Sequence, residues 1–166
     1  MNITKSILIF ILLQILFALS GQELAILMED RKSPKDMKST MSMLLTNKNG
    51  KIRSSEIRSY STDGSKKQIL WFLAPADDKG VAYLKIEHDD KIDDMKLWLP
   101  NFKKIRRISS RKKSESFMGS DMSYEDMTSR NLNEYNYAII GSEIINNNDC
   151  HILESIPNGI KTEYSK

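Results

Sequence analysis

Residues 95–127 read MKLWLPNFKKIRRISSRKKSESFMGSDMSYEDM, and this stretch decides how the rest of the chain is interpreted. It begins with an aromatic strand ending at Leu99-Pro100, passes through a basic run, and reaches FMGSD at residues 117–121. Residues 123–126, SYED, have the spacing of a capping box and predict a short helix start. The stretch therefore predicts strands and connections of a sheet with one strongly positive region, and it contains no catalytic motif.

The first 20 residues have the layout of a secretory signal peptide. Lys5 supplies the positive charge, residues 6–19 form an apolar run, and Ala18 and Ser20 are the small side chains before the predicted cleavage site. The apolar run is shorter than the roughly 20 residues that span a bilayer. We therefore predict cleavage near Ser20/Gly21, with an uncleaved membrane anchor as the alternative, and a single mature domain at residues 21–166.

Composition excludes several classes of function. The chain has 25 Lys and Arg against 22 Asp and Glu, and this mild excess gives no reason to expect a nucleic-acid partner. Cys150 is the only cysteine, so an intrachain disulfide is impossible. His88 and His151 are the only histidines, and neither lies in a nucleophile or metal motif. We therefore predict a protein that is not an enzyme and needs no cofactor or metal.

Alternation of apolar and polar residues predicts a first hairpin. In residues 37–46 one face carries Met41, Met43 and Leu45. Asn49-Gly50 then predicts a type I′ turn, because both residues tolerate positive φ, and a largely polar partner strand follows at residues 51–61.

The strand at residues 66–74, KKQILWFLA, is apolar on both faces, which is typical of a central strand. Its alternation places Ile69, Trp71 and Leu73 on one face. Further strands are predicted at residues 81–88, 95–99, 104–110, 134–140, 149–156 and 161–164. The acidic stretch at residues 88–94 lacks the glycine and spacing of an EF-hand loop, so we interpret it as a hairpin tip. Eight or nine short strands predict an antiparallel sheet that is strongly curved or nearly closed.

Two other segments have more than one interpretation. Residues 23–32 predict an amphipathic helix with Leu24, Leu27 and Met28 packed on the sheet, either as a lid over a cavity or as a plain packing helix. The basic run at residues 103–113 indicates lipid head groups or an acidic protein patch as its partner, with a solvated charged face as the alternative. Its rim candidates are Arg106, Arg107 and Arg111.

Three motifs in order resemble those of the outer-membrane lipoprotein-sorting-like family, relatives of the periplasmic carrier LolA. Residues 72–84, FLAPADDKGVAYL, are similar to the family's F-x-x-P-x-D-x-K-G-x-A-x-L. Residues 97–108 resemble its W-x-Y-L-P…R-R-I segment, and residues 117–126 resemble its F-x-G-S-D-F-S-Y-E-D signature. The chain departs from the pattern in lacking an aromatic residue between Trp98 and Pro100 and in having Met122 where an aromatic is usual. Family members also continue for several further strands, so the resemblance implies that residues 21–166 form a LolA-like domain of a truncated or shortened member that lacks the family's C-terminal strands.

The resemblance implies a mainly β (α+β) fold, a curved antiparallel sheet forming an incomplete LolA-like β-barrel with short helices as a lid. It implies a periplasmic carrier that holds acyl chains of lipoproteins or lipids, with an inner-membrane transporter as a candidate donor. The alternative is an envelope binding or sensing module of the same fold. Alternation alone leaves open which face of the sheet the methionine strand joins, and we place it with Trp71. The predicted lipid-binding residues are Met41, Met43, Leu45, Ile69, Trp71, Leu73 and Trp98.

Overall fold

The computed structural model describes residues 19–160, 162, 164 and 165. Most of the predicted signal peptide, residues 1–18, lies outside this described part. The described residues divide into two compact units, one made of Lys32–Arg130 and the other of those up to Arg31 together with those from Asn131 onward. In the described part of the chain, no helix is both long enough and apolar enough to cross a membrane.

The larger unit contains a six-stranded antiparallel sheet in which neighbouring strands follow the order of the chain. The strands are β1 (Asp36–Thr46), β2 (Ile52–Thr62), β3 (Lys67–Ala74), β4 (Ala82–Ile86), β5 (Asp94–Leu99) and β6 (Lys104–Ile108). Within the described residues, β1 and β6 are edges and do not pair with each other, so the sheet is not closed into a barrel. The predicted mainly β fold with an incomplete barrel is confirmed.

One face of this sheet is covered and forms the hydrophobic core. Aromatic residues from the segment after β6 pack across it, with ring centroids 5.3 Å apart for Tyr83 and Phe117 and 5.6 Å apart for Phe117 and Tyr124. The buried strand residues beneath them are Ile57, Leu70, Phe72, Tyr83, Met95, Leu97 and Ile108. We call this side of the sheet the covered face.

The β1–β2 turn differs from the predicted type I′ geometry. Gly50 has a φ of 76°, but Asn49 is not among the residues with positive φ. The turn is organised instead by Asn47, whose side-chain oxygen accepts hydrogen bonds of 3.0 Å from the amides of Asn49 and Lys51. The prediction of two positive φ values at Asn49-Gly50 is therefore wrong, because an asparagine two residues earlier satisfies the turn amides.

The capping motif at Ser123 and Asp126 forms as predicted. The Ser123 amide donates to Asp126 Oδ2 at 2.7 Å, and the Asp126 amide donates to Ser123 Oγ at 3.4 Å. The helix that follows is a single 3-10 turn, Glu125–Met127.

At the predicted hairpin tip, His88 Nε2 lies 3.3 Å from Asp94 Oδ2. Among the described residues, no group of His, Cys, Asp and Glu is arranged to hold a metal ion.

The smaller unit contains helix α1 (Gly21–Glu29) and a hairpin of β7 (Tyr135–Ile145) and β8 (Asn148–Pro157). The hairpin turn has positive φ at Asn146 and Asn147. The predicted strand at residues 161–164 falls partly outside the described residues, and residues 162 and 164 are not in a strand.

Helix α1 packs on β7 through small residues. Gly21 and Ala25 are its buried positions, and a Cβ added at Gly21 would lie 2.6 Å from the Ala138 backbone. The predicted packing stripe of Leu24, Leu27 and Met28 is wrong, because Leu27 and Met28 are exposed and Leu24 is only half-buried. Because glycine has no side chain, Gly21 lets the backbone of α1 approach β7 closely. The helix therefore packs on β7 through this small-residue face and not through its larger apolar side chains.

Candidate functional site: the open face of the sheet

The second face of the six-stranded sheet carries an apolar surface that the core does not use. Backbone register aligns one row of residues across β2 to β6, and cross-strand partners point to the same face. This row consists of Arg58, Trp71, Ala82, Trp98 and Ile105. Its centre is therefore two indole rings separated by one alanine.

A second row lies beside the first, two residues along each strand. It consists of Tyr60, Ile69, Leu84, Lys96 and Arg107. The row is apolar on β2 to β4 and becomes basic on β5 and β6. We define the open face as the apolar members of both rows together with Leu73: Tyr60, Ile69, Leu73, Trp71, Ala82, Leu84, Trp98 and Ile105.

The open face is accessible to solvent despite its apolar character. Trp71 retains 41% of its accessible surface, Trp98 37% and Ile105 66%. Ala82, which lies between the two tryptophans, is buried. Contiguous exposed apolar patches of this kind mark ligand or partner sites, whereas single exposed hydrophobic residues need no explanation.

A depression of about 470 Å³ occupies the β2–β3 side of the open face. Its lining residues are Arg58, Tyr60, Ile69, Trp71 and Leu73. The Tyr60 and Trp71 rings meet edge to face, with centroids 6.5 Å apart and planes at 87°. The Lys38 ammonium lies 5.5 Å from the Tyr60 ring centroid, so cations border an otherwise apolar wall.

A register shift explains why Leu73 joins this wall. The β2–β3 pairing shifts between Glu56 and Ile57, so Leu73 has no Cα partner on β2. A β-bulge of this type re-aims the extra residue and bends the strand. Leu73 lines the depression together with Trp71.

The structure divides the predicted lipid-binding residues into two groups. Ile69, Trp71, Leu73 and Trp98 are brought together on the open face. Met41 pairs with Ile57 and Met43 with Ser55, and Ile57 in turn pairs with Phe72 in the core.

Met41, Met43 and Leu45 therefore lie on the covered side, and placing them with Trp71 was wrong. Alternation fixes which residues of one strand share a face, but only the register between strands fixes how the faces of two strands correspond.

The predicted basic rim is also divided. Arg106 pairs with Leu97 on the covered side, and Arg107 pairs with Lys96 on the open side. Arg106 donates to Glu115 at 2.6 Å, and Arg107 donates to Asp94 at 3.2 Å. Arg111 is exposed in the segment after β6. Much of the positive charge in this run is therefore matched by nearby carboxylates.

These contacts set the protonation of two carboxylates. A hydrogen bond from His88 lowers the pKa of Asp94, and the charges of Lys96 and Arg107 lower it further. The hydrogen bond and charge of Lys112, followed by the charge of Arg106, lower the pKa of Glu115. Both carboxylates are thus held as anions beside the basic run, which suits a structural role better than proton transfer.

Sequence reasoning missed Tyr60, Leu84 and Ile105 as members of the open face. Alternation in β4 pointed to Leu84, since it shares a face with Ala82. Tyr60 lies in a strand whose other side chains are mostly polar, and Ile105 lies within the basic run, so neither stood out without the register.

Comparison with known proteins identifies relatives of this chain by sequence and by fold. The family model described as "-like: Uncharacterized protein" matches residues 64–166. No functionally curated protein matches the chain. A domain from Vibrio parahaemolyticus described as outer membrane lipoprotein-sorting is 34% identical with a TM-score of 0.76, and the match covers 87% of this chain and 63% of that one.

Two further solved structures are similar. A DUF1329 family protein from Desulfovibrio piger is 34% identical with a TM-score of 0.71, over 87% of this chain and 64% of that one. A LolA superfamily protein from Nitrosomonas europaea shares the fold, with a TM-score of 0.59 at 17% identity, over 89% of this chain and 64% of that one. The chain thus spans less than two thirds of the length of these proteins. It belongs to the outer-membrane lipoprotein-sorting-like family, whose fold is LolA-like.

Proposed function

We propose that this protein is an exported carrier that binds acyl chains of lipoproteins or lipids on the open face and moves them through the periplasm for sorting to the outer membrane. The observation that carries the proposal is the pair of exposed tryptophans, Trp71 and Trp98, set in register on an apolar sheet face. The similar domain from Vibrio parahaemolyticus, which is described as outer membrane lipoprotein-sorting, supports lipoprotein acyl chains as the cargo.

The physical chemistry of the open face fits such cargo. Each CH₂ group of an acyl chain removed from water contributes about 0.8 kcal/mol, so a carrier needs a continuous apolar surface rather than a few polar contacts. Aromatic rings provide large contact areas, and the depression beside Trp71 provides a concave start for the chain. No step of bond making or breaking is needed, and we propose no catalytic role.

Cations beside the open face suit the polar end of a lipid. Arg58 lines the depression itself, and Lys38 lies over Tyr60 at its border. Lys96 and Arg107 flank the apolar rows on the other side. We propose that an anionic head group lies against these cations while its acyl chain lies on the open face, and that Arg106, Arg107 and Arg111 favour encounter with an anionic membrane or an inner-membrane donor.

Export is part of the same proposal. We propose that residues 1–20 are a signal peptide removed near Ser20/Gly21. Ser20 is the N-cap of α1, where its side chain accepts from the Glu23 amide at 3.1 Å. Cleavage after Ser20 would remove this cap and leave Gly21 as the new amino terminus. The cleavage position therefore also affects which groups accept hydrogen bonds from the first backbone amides of α1.

The alternative is an envelope binding or sensing module without a transport role. It would be supported if the protein's own side chains covered the open face. The exposure of Trp71, Trp98 and Ile105 favours the carrier instead.

Lipid retained on purification tests the proposal. We compare Ile105→Glu, on the open face, with Ile92→Glu at the β4–β5 connection, because the two isoleucines are 66% and 65% exposed. Mass spectrometry of the protein purified from envelopes should find lipid on the unmodified protein and on Ile92→Glu, and little on Ile105→Glu. Equal lipid content in all three proteins would contradict binding at the open face.

A further inference from the structure

A second depression, of about 550 Å³, lies between the β1–β2 turn and the loop that follows Phe117. We call it the loop pocket. The residues that give it its chemistry are Lys48, Lys51, Arg53, Gly119, Ser120 and Asp121. Arg53 pairs with Leu45 at the end of the sheet's covered side, so the loop pocket is separate from the open face.

The first wall of the loop pocket is held rigidly by backbone hydrogen bonds. The Gly50 amide donates to Asn47 O at 2.8 Å, and the Asn47 amide donates to Lys51 O at 3.0 Å. The Asn47 side chain binds two further amides of the same turn. The backbone that carries Lys48 and Lys51 is therefore fixed before any ligand arrives, which reduces the entropy lost on binding.

The second wall is anchored in the core. Phe117 is buried on the covered face, and Ser120 Oγ donates to its carbonyl oxygen at 2.7 Å. The Met122 amide donates to Ser120 Oγ at 3.2 Å, which fixes the loop on the other side. Gly119 has a φ of 77°, and a Cβ added there would meet no atom within 4 Å. The family-like sequence at residues 117–121 thus forms a fixed loop whose glycine faces open space.

The charges of the loop pocket are unbalanced. Arg53 is paired with Asp78 at 2.5 Å. Among the described residues, Lys48 and Lys51 have no ion-pair partner within 4.0 Å, and the remaining lining carboxylate is that of Asp121. Two lysines and one aspartate leave an excess of positive charge in a preformed concave site.

We propose that the loop pocket binds a phosphate-class anion, either the phosphodiester of a lipid head group or free phosphate, through the ammonium groups of Lys48 and Lys51. Gly119, Ser120 and Asp121 of the fixed loop line the same space. The Arg53–Asp78 pair anchors the start of β2 against the β3–β4 connection and leaves the two lysines to meet the ligand. This site does not depend on the open face, so it stands or fails separately from the carrier function.

Titration of the isotope-labelled mature protein by NMR tests the loop pocket directly, with the Gly119 and Gly50 amides as local reporters. The probes are inorganic phosphate, dihexanoyl phosphatidylglycerol, and dihexanoylglycerol, which lacks the phosphate. The variant is Lys48→Gln/Lys51→Gln. The control is Lys32→Gln/Lys35→Gln, which removes the same charge from two exposed residues before β1. All four lysines are exposed, so neither variant removes buried contacts.

We expect saturable shifts of the Gly119 amide with at least one phosphate-bearing probe and none with dihexanoylglycerol. The Lys48→Gln/Lys51→Gln variant should bind about tenfold more weakly, and the control within about twofold of the unmodified protein. Tighter binding of phosphatidylglycerol than of phosphate identifies a lipid head group, and equal binding identifies free phosphate. The proposal is overturned if neither phosphate probe shifts Gly119, or if both double variants bind as the unmodified protein does.

Discussion

Trp71 and Trp98 lie on one face of the sheet with a single strand between them, each paired in register with Ala82. Adjacent strands are about 4.8 Å apart, so the two indoles originate roughly 10 Å from each other. The residue between them, Ala82, is small and buried. Because the chain contains only these two tryptophans, both of its most polarisable side chains belong to the open face.

The two faces of the sheet should respond differently to charge. Trp71→Glu introduces a carboxylate on the solvent-accessible open face and should lower the free energy of unfolding by less than about 1 kcal/mol. Met43→Lys introduces an ammonium on the covered side, where Met43 packs against the core, and should lower it by about 2–3 kcal/mol. Urea unfolding of both variants measures the difference. A Trp71→Glu variant that is the less stable of the two would contradict the assignment of the faces.

The contact between α1 and β7 should depend on Gly21. Gly21→Ala places a Cβ 2.6 Å from the Ala138 backbone, so the helix must shift and the variant should lose about 1–3 kcal/mol of stability. Gly141→Ala is the matched control, because its Cβ would lie 3.6 Å from Ile152 Cδ1, an ordinary contact. Hydrogen exchange of the β7 amides reports the change. Equal protection in the two variants would show that α1 does not pack closely on β7.

Acid sensitivity should involve Glu115. Its contacts with Lys112 and Arg106 lower its pKa below the ordinary value of 4.5, so its contribution to stability is present above that pH and is lost as the pH falls through the folded-state pKa. Glu115→Gln should therefore lower stability at neutral pH slightly and flatten its decline below about pH 4.5. Urea midpoints measured from pH 6 to pH 3 test this.

Lys112→Gln is the partner control for that experiment. It removes the hydrogen bond that does most to lower the pKa of Glu115, so it should flatten the same acid decline in part, since Arg106 remains. If stability falls as steeply with pH in Glu115→Gln as in the unmodified protein, groups other than Glu115 govern the loss of stability at low pH.

The sequence predicted the strands of the six-stranded sheet to within two residues at each end, whereas the strand predicted at residues 134–140 continues to Ile145 and residues 162 and 164 are not in a strand. The predicted strand at residues 37–46 differs from Asp36–Thr46 by one residue, and the one at residues 66–74 differs from Lys67–Ala74 by one. β2 was harder, since its buried face carries Ser55, Ser59 and Ser61 beside a single large apolar residue, Ile57. Small hydroxyl side chains fit beneath the core aromatics, but a hydrophobic pattern does not reveal them.

The candidate site was predictable only in part. Ile69 and Trp71 share a face by strand periodicity, whereas the relation of Met43 to Trp71 depends on the register of β1, β2 and β3. A one-residue change in register exchanges the faces, and turn geometry helps to set it. Here the β1–β2 turn is organised by Asn47 and not by an Asn49-Gly50 type I′ turn. Such long-range pairing is absent from the local sequence signal.

The most direct test of the carrier account is quenching of tryptophan emission by an acyl chain that carries bromine. Because Trp71 and Trp98 are the only tryptophans and both lie on the open face, all indole emission reports on that face. Brominated phosphatidylglycerol should quench the emission saturably, Trp71→Phe and Trp98→Phe should each retain part of the quenching, and Ile105→Glu should reduce it while Ile92→Glu does not. Emission that stays unchanged while bound lipid is detected by mass spectrometry would place the acyl chains elsewhere and contradict the central claim.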